Sequence, residues 1–181
     1  MEKLLNMSDK FDVTFEVLGK KIPAHRLIMA ARSPVFAAEL FGSVSEVDMK
    51  CIRIEEMKAD VFRAMFRFMY TDQIPSGRSG DLSKLSFELE LVQDLFVAAD
   101  RYALEKLKKI CEEILCNNLS VETVSTTLLL ADRHNCPRLK ETCLRFASKP
   151  ENFMQLALTE EYLHMIQASP SLLVELREKV N

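Results

Sequence analysis

Two groups of residues in this sequence carry side chains suited to chemistry. His25, Asp12 and Ser33 are the types of a nucleophilic triad, in which a base takes the serine proton and a carboxylate orients the base. His134, Cys136 and Cys143 supply the nitrogen and thiolate ligands that hold zinc. Neither set is complete in sequence. No G-x-S-x-G presents a serine at a strand-to-helix turn, and no fourth ligand stands at a workable spacing from the other three. Gly-rich and Walker-type phosphate loops are missing as well. A histidine that opens a helix then reads as structural, and Cys111, on a helix that also buries Ile110 and Leu115, reads as packing. The expectation is a protein with no catalytic residue, no metal and no cofactor, which is to say not an enzyme.

Composition narrows what such a protein binds. Lys and Arg number 24 against 27 Asp and Glu, with the signs interspersed and a net charge of −3, so there is no basic footprint for nucleic acid. Hydrophobic residues at 48% and charged residues at 28% are enough to build a folded core. No apolar run approaches the roughly 20 residues of a membrane span. The opening MEKLLNMSDKF has no apolar core or cleavage site of a secretion signal. Cysteines 51, 111, 116, 136 and 143 form no CxxC pair and are odd in number, which points to reduced thiols in the cytoplasm or nucleus.

The elements that position these residues centre on IPAHRLIMAARSPVFAAELF, residues 22–41. Ser33-Pro34 ends one short helix and starts another, serine as N-cap and proline in the first turn. Before it, FDVTFEVL alternates Phe11, Val13, Phe15 and Val17 against polar residues, a strand signal, with a turn at Gly19-Lys20 and a short return strand at 21–24. Residues 42–50 are polar and aperiodic, a loop. CIRI at 51–54 is a third short strand with Ile52 and Ile54 on one face, and 60–70 is an amphipathic helix. Residues 71–87, with Pro75, Gly77 and Gly80, read as a loop. From Leu89 onward successive helices follow, with Asn117-Asn118 as a stop, Ser120 as a cap and Pro137 at a start. The fold class is α+β, with a small early sheet and helices segregated after it.

The stretches FDVTFEVLGKKIPAHRLIMAARSPVFAAELF, VFRAMFRFMYTDQIP and LFVAADRYALEKLKKICEEILCNNLS resemble a BTB/POZ domain. VETVSTTLLLADRHNCPRLKETCLRFASKPENF, with SPSLLVEL near the end, is similar to the carboxy-terminal half of the MATH-BTB proteins of the speckle-type POZ group, the plant branch especially. The resemblance implies a BTB/POZ fold over residues 1–118 and an all-helical extension over 119–181, a cullin-binding helical pair (the 3-box) running into a truncated BACK-like region. It departs from the family in two places: no MATH domain, the substrate-binding half, precedes Met1, and the polar loop around residues 75–87 is longer than usual.

What the resemblance implies for function is a homodimeric adaptor that brings substrates to a cullin-3-type ubiquitin ligase scaffold. Carried over position by position, it puts Leu4, Leu5, Phe11, Asp12, Arg26, Leu27 and Ile28 at the dimer seam. Asp12 and Arg26 match a charged pair of that interface. The family's cullin motif, apolar–any–acid in the loop after the second helix, is matched by Val44-Ser45-Glu46, with Leu40, Phe41 and Tyr70 as neighbouring contacts. Substrates would arrive through the missing MATH domain or another partner. A second reading stays open: an oligomerisation module that forms homo- or mixed dimers with related BTB proteins and does not engage the scaffold.

Overall fold

The computed structural model describes residues 11–42, 51–74 and 82–180. Among the described residues there are three strands and ten helices. In order they are β1 (Val13–Val17), β2 (Lys20–Ala24), α1 (Arg26–Arg32), α2 (Pro34–Phe41), β3 (Cys51–Ile54), α3 (Ala59–Thr71), α4 (Leu82–Arg101), α5 (Glu105–Asn117), α6 (Val121–Arg133), α7 (Pro137–Ala147), α8 (Pro150–Leu156), α9 (Glu160–Ala168) and α10 (Pro170–Val180). The chain forms two compact units, Met1–Lys109 and Ile110–Asn181, divided within α5.

The first unit is built on β1, the middle strand of the order β2-β1-β3, antiparallel to β2 and parallel to β3. Val13, Phe15 and Val17 are buried while Thr14 and Glu16 are half-exposed, the two-residue period read from the sequence. Val17 pairs with Lys20, so the turn is Leu18-Gly19 rather than the Gly19-Lys20 of the sequence reading. Both turn residues have positive φ (48° and 76°), which matches the twist of a two-residue hairpin. Glycine adopts this freely, whereas for Leu18 it costs about 1–2 kcal/mol. On β3 the expected faces are seen, with Ile54 buried, Ile52 half-buried, and Cys51 and Arg53 outside.

Aromatic rings fill the space over β1. Phe15 meets Phe36 of α2 edge-on at 5.2 Å and Phe62 of α3 at 5.5 Å, and Phe36 stacks on Tyr102 at 4.4 Å. Ser33 locks the hairpin helices into this core. Its hydroxyl accepts the Phe36 N–H, as an N-cap should, and donates to the Tyr102 carbonyl at 2.7 Å from a fully buried position. In α3, residues 63 and 67 are the exposed arginines, four apart on one stripe, and the stretch is otherwise almost wholly buried. Helix α4 begins at Leu82, so residues 82–87, expected in a loop, are helical. The breakers Pro75, Gly77 and Gly80 all precede that point, and nothing in residues 82–87 opposes a helix.

The second unit is helix on helix. Val124, Leu128 and Ala131 of α6 are buried against neighbouring helices that contribute Leu139, Cys143, Leu156, Tyr162 and Met165, and α10 adds Leu172 and Leu176 beside α7 and α9. Proline opens α7, α8 and α10, where the missing N–H has no cost. The Ser120 N–H donates to Thr123 Oγ1 at 3.1 Å and secures the start of α6. Across α6, α7 and α10, Lys140 donates to Asp132 at 2.8 Å and Glu175 at 2.7 Å, and Ser169 donates to Asp132 at 2.9 Å. The thiols of Cys111 and Cys143 are buried, and burial pushes both up to about 12. They remain protonated and serve as small apolar groups.

Candidate protein-interaction surface

Helix α1 shows two different faces within seven residues. Met29 is fully buried and anchors it, whereas Leu27 is 73% exposed and Arg26 and Ile28 are half-buried. An exposed leucine beside a half-buried isoleucine, on a helix too short to be stable alone, is apolar surface that no neighbour covers among the described residues. Phe11, half-buried, sets its ring 4.9 Å from that of His25 at the head of the same helix. Asp12 is exposed, and its Oδ1 accepts the backbone N–H of Arg26 at 2.7 Å. The carboxylate thus caps α1 from the strand side, where an unpaired donor and the positive end of the helix dipole both favour an anion. Leu4 and Leu5, expected on this seam, lie outside the described residues.

His25 is the N-cap of α1 but its side chain makes no cap bond. Instead the His25 backbone N–H donates to the Tyr70 hydroxyl at 3.0 Å, and that hydroxyl lies 2.9 Å from Nδ1 of the same histidine. The phenol thus meets both the backbone and the ring of one residue, accepting from the first and sharing a proton with the second. Nε2 is buried with no partner among the described residues, a cost of about 1–3 kcal/mol. Burial raises the Tyr70 phenol above its ordinary range, the His25 N–H pulls it back, and the Asp12 charge adds to the rise. The sequence reading missed this pair, since the partners stand 45 residues apart and no local pattern joins them.

At the far end of the hairpin, α2 stops at Phe41, which is 53% exposed, next to Leu40, which is 3% exposed. Gly42 caps the helix by donating to the Ala38 carbonyl at 2.9 Å, and a Cβ there would stand 2.3 Å from that oxygen, so only glycine fits. Val44 and Glu46 follow outside the described residues. Leu40 and Tyr70, expected as scaffold contacts, are buried in the single chain (Tyr70 at 0%), and the Tyr70 ring packs against Phe66 at 4.7 Å. Of the described residues in that set, Phe41 alone is a surface residue.

The triad residues are parted by the same bonds: His25 on Tyr70, Ser33 on Tyr102, Asp12 on the head of α1. Cys136 Sγ approaches the His134 carbonyl at 3.4 Å, and no group of three or more His, Cys, Asp or Glu converges as a metal site among the described residues. No described helix is long and apolar enough to cross a membrane.

The hairpin of strands, the two short helices, and α3 carrying its aromatic face are the parts of a known domain. The family model for the BTB/POZ domain matches residues 1–119. The chain belongs to the BTB/POZ family. A second model, described as the BPM/SPOP BACK domain, matches residues 123–177. Among curated relatives, BTB/POZ and MATH domain-containing protein 3 of Arabidopsis thaliana is 39% identical over 99% of this chain and 44% of its own length. Protein 4 of the same name and organism is 38% identical over 98% of this chain and 38% of its own length. The chain therefore spans less than half the length of these relatives. The solved BTB domain of zebrafish PATZ1 shares the fold, with a TM-score of 0.51 at 22% identity over 65% of this chain and 86% of that one. The BTB fold with a helical BACK-type extension is thus established.

Proposed function

We propose that this BTB chain is a homodimeric substrate-adaptor module of a cullin-3-type ubiquitin ligase and not an enzyme. The observation that carries the reading is the hairpin of α1 and α2, which buries Met29, Phe36 and Leu40 yet leaves Leu27 and Phe41 outside. Leu27, with Phe11, Asp12, Arg26 and Ile28 around it and Leu4 and Leu5 completing the seam, serves self-association. Phe41, with Val44 and Glu46 beyond Gly42, serves the scaffold: an aromatic anchor seated in a partner pocket, with a rim carboxylate that fixes orientation. The extension that matches the BACK family widens the scaffold contact. Substrates reach the dimer through a MATH domain, by analogy with the named relatives, or through another protein. The site of action is the cytoplasm or nucleus.

Light scattering on the chain, alone and with the amino-terminal domain of a cullin-3-type scaffold, tests the reading. A dimer that becomes a two-to-two complex is the expected result. A dimer with no shift removes the scaffold and leaves an oligomerisation module. A monomer removes both.

A further inference from the structure

Tyr70 has a different role from the one its neighbours suggest. Its ring packs against Phe66 at 4.7 Å, it is fully buried, and its hydroxyl is spent on both the backbone and the ring of His25. Two residues on, at the αL C-cap of α3, Asp72 holds Arg32 at 2.5 Å and Lys106 at 3.2 Å. Helix α1 is therefore tied at its head, through His25, and at its tail, through Arg32, to the last turn of α3. The two ties differ. Arg32 and Asp72 are partly exposed and held by long side chains, which accommodate small shifts. The bonds from Tyr70 to His25 fix the backbone where α1 begins, beside a buried imidazole nitrogen with no partner among the described residues. A phenylalanine and a leucine would fill the same space without the cost of that nitrogen, but without the geometry that the polar pair specifies.

We infer that Tyr70 is a positioning residue for self-association: through His25 it sets the first turn of α1, and with it the placement of Arg26, Leu27 and Ile28 on the dimer face. This rests on the reading of α1 as that face. Tyr70 acts from inside the unit and touches no partner.

Tyr70→Phe in the full chain removes the hydroxyl and keeps the ring. The dimer dissociation constant, read by sedimentation equilibrium well below the unfolding temperature, is expected to rise at least about tenfold. Affinity per protomer for the amino-terminal domain of a cullin-3-type scaffold is expected to stay unchanged. Nitrogen NMR of the imidazoles is expected to show the His25 Nδ1 signal shifted between the wild-type chain and the variant, as the bond to the hydroxyl is lost. His25→Asn, which keeps an acceptor near the Nδ1 position, is expected to hold the dimer constant within about threefold of wild type, while His25→Leu loses about tenfold. Those two variants carry the test if Tyr70→Phe does not fold.

A lower unfolding temperature with an unchanged dimer constant overturns the inference, because the pair is then structural only. Lost scaffold affinity with an unchanged dimer constant also overturns it, and restores Tyr70 as part of the scaffold contact. So does an equal dimer constant for His25→Asn and His25→Leu. A wild-type chain that is monomeric removes the self-association reading itself, and the imidazole spectrum then reports separately whether the bond exists.

Discussion

The two units use polar groups in opposite ways. In the first, hydroxyls are buried inside an aromatic core and each joins segments far apart in the chain: Ser33 to Tyr102, Tyr70 to His25. In the second, the core is mostly aliphatic, and the long-range polar bonds, Lys140 with Asp132 and Glu175, and Ser169 with Asp132, lie at its partly exposed edge. A buried bond between neutral groups has strict geometry and is expensive to break, so it fixes which arrangement forms. An edge network of charges is tolerant and adds little. The buried Thr127 hydroxyl of the second unit, by contrast, bonds within its own helix, to the Thr123 carbonyl at 2.8 Å.

Substitutions test that contrast, beginning with the largest effect. Phe36→Ala removes a ring wedged between Phe15 and Tyr102 and is expected to destabilise the first unit by about 3–5 kcal/mol, read by urea unfolding. Leu128→Ala in the second unit, where neighbouring aliphatic chains relax into the gap more readily, is expected to cost about 2–4 kcal/mol in the same assay. A larger loss at Leu128 than at Phe36 would reverse the contrast.

Ser33→Ala removes a cap and leaves the buried Tyr102 carbonyl without its donor, for an expected loss of about 1–3 kcal/mol. Lys140→Ala, at the edge of the second unit, is expected to cost about 1 kcal/mol or less, and raised salt is expected to shrink that difference. Equal losses at Ser33 and Lys140 would show that burial is not what separates the two kinds of bond.

Acid acts on the edge bonds of both units. The Arg32 guanidinium, helped by Lys106, holds the Asp72 carboxyl below its ordinary range, and Lys140, helped by Ser169, does the same for Asp132. Each folded-state value lies below the unfolded one. Each contribution is therefore complete above about pH 4 and is lost as pH falls through the folded value. Thermal unfolding is expected at lower temperature between about pH 4 and about pH 2, with the slope reduced in Asp72→Asn and Asp132→Asn. A slope unchanged by both variants would place the titrating groups elsewhere. The smallest effect on stability is at Phe41→Asp, within about 0.5 kcal/mol for a surface position, together with loss of scaffold binding. Retained binding in that variant would remove Phe41 from the site.

Much of this was legible beforehand because it depends on neighbours in sequence. The alternation of Val13, Phe15 and Val17, the Ser33-Pro34 junction and the proline start of α7 are local rules, decided by backbone geometry within one or two turns. Packing decided the rest. Leu40 and Phe41 are adjacent and both apolar, and nothing in their types says that one is interior and the other on the surface. The direction of α2 over the sheet decides it. Asp12 and Arg26 read as a charged pair, and nothing in their types says that the carboxylate also accepts the backbone N–H of Arg26, which it does because the chain before β1 delivers it to the head of α1. Tyr70 read as a contact for a partner, and in the structure its hydroxyl bonds the backbone and the ring of His25. A bond across 45 residues has no signature in the sequence, because it exists only once the sheet and α3 bring the two residues together.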